Sequence, residues 1–326
     1  MIGGSKRWIW WGIIVAFVAL LLTLNFRYKF YPVHLSEPNE SEYSFRIMTY
    51  NVNGKAIADS ISTDTLGLMQ IVRMHDPDIL CLQEIVHNNH KAIKDSLDNY
   101  YCYSKEQIKE YGKDVYALYS KFPIRNFTQL RCLGDVDVPE ADSVSDKWVT
   151  KFKEKMPVYS ADLEVEPGKW ITVFSCHLRS NDYSVARRAI KGDSASWIDG
   201  IPQYRKNYLQ GKAIRNWQTQ TIRHHVDSLL SRNIPVIVAG DLNDFCGSDC
   251  LDRLMGHGAG VKGLELRDAW WERGTGFGIT YDDWHLKLRL DHILVSKHFD
   301  IQRVEVPRYG LSDHYPVVGD VVLLAD

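Results

Sequence analysis

Apolar and polar positions along the chain fall into short runs whose ends carry the informative residues. Phe45-Arg46-Ile47-Met48-Thr49-Tyr50 reads as a strand, and Asn51-Val52-Asn53-Gly54 reads as its exit turn. Leu66, Met69, Ile71, Val72 and Met74 recur at helical spacing after the candidate caps Ser62 and Thr63, and Asp76-Pro77 closes that helix. Residues 79–82 form a short apolar strand that delivers Gln83 and Glu84 at its end. Further strand signals lie at residues 100–103, 115–119, 158–165 and 170–176, the last two joined by Glu166-Pro167-Gly168-Lys169 as a hairpin turn. An amphipathic helix is expected over 216–230. It is followed by a buried strand, 234–239, that opens onto Gly240-Asp241-Leu242-Asn243. Residues 289–295 and 315–318 place two more polar clusters beside apolar strands.

Strand, helix and strand in that order predict an α/β layer. Strands buried on both faces have little reason to end in unpaired Glu, His, Asp and Asn, because a polar group left there without partners costs several kcal/mol, roughly. The polar ends are therefore expected to converge on one rim, where they meet water, one another or a metal.

The amino-terminal residues follow another pattern. Trp8 to Leu24 is a run of 17 residues without a charge, and Asn25 and Phe26 extend it to 19. At about 1.5 Å per helical residue the longer run approaches the roughly 30 Å of a bilayer core. No small-x-small cleavage pattern closes it, so the expectation is an uncleaved single-pass anchor over 1–30, a tether over 31–42 and a folded body over 43–326. The orientation expected is a short tail inside and the body extracytoplasmic, in the periplasm.

Charge adds a constraint. Residues 1–30 contain four basic and no acidic residues, leaving 35 basic against 41 acidic in the rest. Such a body is not a general polyanion-coating surface, although a local basic groove is compatible with it. The segment from Arg179 to Arg215 supplies one, with eight basic residues against three acidic. Arg179, Arg188 and Arg215 are its candidate phosphate contacts. Among the aromatic residues 270–284, Trp284 is the candidate cleft-lining side chain. Cys81 and Cys176 sit in apolar runs and are expected in the core, whereas Cys102, Cys132, Cys246 and Cys250 look less buried and are open to bridging.

The strand-end residues suggest their chemistry. Glu84 offers a hard anionic oxygen for Mg²⁺ or Mn²⁺, and Asn51 offers a neutral oxygen nearby or an ordinary turn before glycine. Asp241 and Asn243 are two apart on an extended exit and can share a face; the competing reading is a pair of turn caps. His177 should face away from Cys176, toward the cleft. By the same alternation, if Asp291 faces the cleft then His292 turns into the packing.

Together, Asn51 in TYNVNG, Glu84 in CLQE, His177 in FSCHL, Asp241 and Asn243 in AGDLND, Asp291 in RLDHILVS, and Asp313-His314 in LSDHYPV resemble the motifs of the endonuclease/exonuclease/phosphatase (DNase I-like) superfamily. The resemblance spans about residues 43–322. It implies a two-layer β-sandwich flanked by helices, α/β/β/α, and a divalent-metal-dependent phosphoesterase using direct attack of water. It implies metal ligation by Asn51, Glu84 and Asp313, and catalytic roles for His177, Asp241, Asn243, Asp291 and His314. Asp291 would fix the tautomer of His314. For the substrate, the tether suits a lipid headgroup or periplasmic phosphorylated metabolite, and the basic segment suits nucleic acid. The NVNG stretch also resembles the tyrosyl-DNA phosphodiesterase branch, and a non-catalytic phosphate-binding protein is the class alternative.

Overall fold

The computed structural model describes residues 14–18, 44–54, 67–85, 87–104, 115–133, 156–181, 194–245, 247–257, 264–283 and 286–324. The first half of the body comprises β1 (Ser44–Asn51), α1 (Leu68–His75), β2 (Ile79–Ile85), α2 (His87–Ser96), β3 (Tyr101–Ser104), β4 (Val115–Ser120), β5 (Ile124–Gln129), β6 (Val158–Glu166) and β7 (Lys169–His177). The second half comprises α3 (Ser194–Leu230), β8 (Val236–Asp241), α4 (Asp249–Met255), β9 (Arg267–Asp268), α5 (Ala269–Arg273), β10 (Tyr281–Asp283), β11 (Leu286–Leu288), β12 (Asp291–Val295), β13 (Phe299–Glu305) and β14 (Val317–Leu323).

Twelve of these strands form two six-stranded sheets, in the orders β13-β14-β1-β2-β4-β3 and β5-β6-β7-β8-β12-β9, while β10 and β11 pair separately. Alternation along the strands separates three apolar clusters. Phe45, Ile47, Ile79 and Cys81 from one sheet meet Ile171, Val173, Ile237, Ala239 and Ile293 from the other in the central core. The opposite faces bury Met48, Tyr50, Leu80 and Leu82 under α1 and α2, and Phe174, Cys176, Val236 and Val238 under α3 and α4. Helix, sheet, sheet and helix therefore lie in the order the resemblance implies.

The β6–β7 turn forms where expected, with Glu166 paired to Lys169 and Gly168 at φ 82°. Gly240 marks a closer approach: its φ is 147°, and a Cβ there would lie 2.0 Å from the Cys176 carbonyl oxygen. Only glycine allows β7 and β8 to keep this register.

Several expectations need revision. Helix α3 begins at Ser194 rather than at 216, so it takes in much of the basic segment. Cys132 and Cys250 are buried, and Cys81, Cys102, Cys132, Cys176 and Cys250 are all free thiols; Cys246 lies outside the described residues. Cys250 donates to Asn216 Oδ1 at 3.2 Å, which accounts for a cysteine in a polar-looking segment. The caps Ser62 and Thr63 and the tether fall outside the described residues. So does most of the anchor, of which 14–18 are helical. Among the described residues no helix is long and apolar enough to cross a membrane.

Candidate active site

Three neighbouring strands set the base of the site. β7 and β8 run parallel with His177 opposite Asp241, and β8 and β12 run antiparallel with Asp241 opposite Asp291. One register row thus carries all three side chains to the rim. From the other sheet, parallel β1 and β2 bring Asn51 opposite Gln83, next to Glu84. Glu84 adopts φ 54°, and the β2–β4 register shifts between Leu82 and Ile85. This left-handed backbone is costly for a non-glycine residue and turns the carboxylate out of the strand's alternation.

Glu84, His177 and Asp241 bring ligand atoms within 4.8 Å of one another. His177 Nε2 lies 3.5 Å from Glu84 Oε1 and 3.6 Å from Asp241 Oδ2. Asn51 Nδ2 donates to both carboxylates, at 2.8 Å to Glu84 Oε1 and 3.0 Å to Asp241 Oδ2. Its Oδ1 instead accepts the Asn53 N–H at 2.9 Å. The amide therefore bridges the carboxylates through nitrogen, while the neutral oxygen expected to face a metal accepts one hydrogen bond from the turn and keeps a second lone pair.

Asp241, Asp291 and His314 form a second group, buried and sharing Asp241 with the first. His314 Nδ1 lies 2.8 Å from Asp291 Oδ2, and its Nε2 lies 3.8 Å from Asp241 Oδ2. Burial alone would lower the imidazole pKa, but the Asp291 and Asp241 carboxylates outweigh it and raise the value to about 10. A cationic ring at neutral pH follows. Tyr281 packs edge-on at 4.9 Å between ring centroids, so this aromatic residue supports the histidine.

The expected shared face of Asp241 and Asn243 does not form. Asn243 takes φ 51°, its N–H donates to Asp241 Oδ1 at 2.9 Å, and its Nδ2 donates to the Leu178 carbonyl at 3.1 Å. The exit is a capped turn, and Asn243 holds Asp241 and the β7 exit in place. Asp313 is likewise drawn aside: its Oδ1 accepts from Asn53 Nδ2 at 2.6 Å, and it belongs to neither metal-compatible group. Asp313 and Asn53 clamp the β1 exit to the loop carrying His314.

Arg215 is the clearest correction. It is fully buried, with Nε 3.1 Å from Asp244 Oδ2 and Nη1 donating to the Arg179 carbonyl and Asn181 Oδ1, each at 2.9 Å. It ties α3 to the loops after β7 and β8 and has no exposed surface with which to meet a phosphate at the rim. Arg179 is half-buried directly after the His177 strand, while Arg188 and Trp284 lie outside the described residues. His292 turns inward as alternation predicts, with Nδ1 2.9 Å from Asp268 Oδ2 and Nε2 3.0 Å from the Asp244 carbonyl.

Sequence reasoning missed Thr280 and Ser312. Thr280 Oγ1 accepts the N–H groups of Leu290 and Asp291 at 2.9 and 3.0 Å, fixing the start of β12. Ser312 Oγ donates to the Asn51 carbonyl at 2.9 Å and accepts the His314 N–H at 3.1 Å, linking first strand to last loop. Ser312 stands inside the LSDHYPV motif and Thr280 directly before Tyr281, but nothing local marked either hydroxyl as a backbone partner.

Comparison with known proteins agrees with the fold. The chain superposes on an endonuclease/exonuclease/phosphatase from Bacteroides vulgatus with TM-score 0.60 and 16% identity, covering 86% of this chain and 100% of that one. The human Nocturnin catalytic domain, with bound sulfate anion, gives TM-score 0.57 and 18% identity over 87% and 95% of the two chains. Truncated Caenorhabditis elegans TDP2 gives 0.58 and 17% over 87% and 100%. No curated protein matches the sequence. The profile of the Endonuclease/Exonuclease/phosphatase family matches residues 48–314, from the middle of β1 to the histidine of the buried pair, and the chain belongs to that family.

Proposed function

We propose that the protein is a divalent-metal-dependent phosphoesterase that hydrolyses a phosphate ester by direct attack of water. The observation that carries this reading is the convergence of Glu84, His177 and Asp241 beside the Asp291–His314 pair. The residues suit a metal: among the described residues no lysine or arginine pairs with Glu84 or Asp241, so two close carboxylates share only a neutral amide donor and nearby histidines. Glu84 and Asp241 would hold the ion, with Mg²⁺ or Mn²⁺ favoured by their hard oxygens. When bound, the ion polarises a phosphoryl oxygen and offsets charge developing there.

The chain's own groups divide the remaining work. Asp241, held by Asn51 and the Asn243 N–H, accepts a proton from the attacking water. Cationic His314 stabilises negative charge on the phosphoryl oxygens, and Asp291 holds its ring. His177 donates toward the leaving oxygen. Arg179, next to it, contacts phosphate from the rim, with Arg188 and Trp284 proposed on the substrate side. A hydrolysis screen of the full chain with added Mg²⁺ or Mn²⁺, against DNA, RNA, sphingomyelin, inositol phosphates and simple diesters, tests the reading; no turnover of any of them would count against it.

Glu84→Gln exchanges an anionic ligand for a neutral one of similar shape. It is expected to weaken Mn²⁺ binding at least about tenfold in calorimetry while leaving the unfolding temperature near that of wild type. Equal affinity would assign the ion elsewhere.

The uncharged run over 8–26 supports single-pass attachment to the cell membrane with an extracytoplasmic body, which matches a lipid headgroup or phosphorylated metabolite better than nucleic acid. Removing 1–30 is expected to move the protein from the membrane fraction to the soluble fraction. An unchanged distribution would overturn the anchor.

A further inference from the structure

A cavity of about 650 Å³ lies at the opposite pole of the sandwich, lined in part by Arg125, Lys169, Trp170, Arg232 and His298. β7 begins in this cavity at Lys169 and ends in the catalytic rim at His177. The nine residues of β7 set the two roughly 25 Å apart.

The lining holds three cations, of which Lys169 also pairs with Glu166 Oε2 at 3.2 Å, and a single carboxylate, Asp162, in a body whose overall charge is negative. That carboxylate is committed to the wall: its oxygens accept from Thr172 Oγ1 and Asn126 Nδ2, both at 2.7 Å, and Arg125 Nε stands 3.8 Å away. Arg232 donates Nε to the Ser228 carbonyl at 3.0 Å, and among the described residues no carboxylate pairs with its guanidinium. Arg125 Cζ stands over the Trp170 ring, 3.4 Å from its centroid, which holds the guanidinium against the indole and leaves its N–H groups for an acceptor. His298 is fixed by Ser296 Oγ at 2.9 Å and Asn233 Oδ1 at 3.0 Å. The volume falls within the roughly 300–1,000 Å³ of small-molecule pockets, and two arginine forks with a lysine favour a phosphate group.

We propose that this polar cavity is a second anion site, separate from the catalytic rim, which takes the phosphate group of a small phosphorylated molecule or of a lipid headgroup. It does not depend on the catalytic reading, because none of its residues belongs to that site.

The test is calorimetry on the full chain in EDTA, with pyrophosphate and with glycerophosphoglycerol, the deacylated headgroup of phosphatidylglycerol. The double variant Arg125→Gln, Arg232→Gln is expected to bind the preferred probe at least tenfold more weakly, with hydrolysis at the catalytic rim unchanged. Lys169→Gln, which leaves the Arg125–Trp170 stack in place, should weaken it in the same direction, and thermal unfolding of each variant checks the fold. Preference for pyrophosphate assigns the site to soluble phosphates, and preference for glycerophosphoglycerol assigns it to a headgroup. No binding by wild type, or equal affinity in wild type and both variants, overturns the proposal.

Discussion

His314→Ala is expected to lower kcat/KM by about 10²- to 10⁴-fold, and Asp291→Asn to cost nearly as much, because both act on one charge in the transition state. Asp291 Oδ2 lies 2.8 Å from Nδ1 of the histidine, and the pKa raised to about 10 keeps the ring cationic while that carboxylate is present. Removing either member removes the same cation from its working position. The double variant should therefore be little worse than the worse single one. The measurement is a double-mutant cycle in kcat/KM with metal saturating, on the ester that the hydrolysis screen identifies. His292→Gln supplies the control, since the adjacent side chain faces the packing and should change stability far more than turnover. Full additivity across the cycle would return Asp291 to a structural role.

The second large effect is on stability. Asp268→Asn is expected to destabilise the fold by roughly 3–5 kcal/mol, because it leaves the buried Arg289 guanidinium without its counter-charge. Arg289 Nη1 stands 3.0 and 2.8 Å from the two Asp268 oxygens, and His292 Nδ1 shares one of them at 2.9 Å. Burial alone would raise the carboxyl's pKa; Arg289 and His292 override it and hold it far below the usual carboxylate range. A depressed folded pKa means that this stabilisation is present in full above the unfolded value of about 4 and fades as pH falls below it toward the folded pKa. Thermal unfolding should show the variant several degrees below wild type at pH 7, with the gap narrowing below about pH 4. A gap independent of pH would mean that the cost comes from lost packing and not from the charge.

The parts of the site that were legible in the sequence are those where local pattern and chemistry coincide. Asn51, Glu84, His177 and Asp241 each end an apolar strand, and alternation alone predicted that Cys176 and His292 would turn into the packing. What escaped depends on partners distant in sequence. Arg215 reads as a phosphate contact in a basic run until Asp244, Asn181 and the Arg179 carbonyl close around it. Asn243 and Asp313 are correct motif positions whose side chains are claimed by the Leu178 carbonyl and by Asn53. Thr280 matters only because β12 begins beside it. The long α3 was under-read because Pro202 and the charged residues around it interrupt the apolar stripe, although they are compatible with helix.

The pairing of β1 with β14 also bears on how the chain matures. Among the described residues β1 is the first strand and β14 the last, yet they lie side by side in the interior of one sheet, from Ser44 opposite Val322 to Thr49 opposite Val317. During synthesis one long edge of β1 must wait, unpaired, until the roughly 270 residues up to β14 have left the ribosome. Such late, non-local closure slows folding and leaves a strand edge open to other chains meanwhile. The same wiring delays assembly of the site, since His314 comes to Asp291 and Asp241 from the loop that leads into that strand.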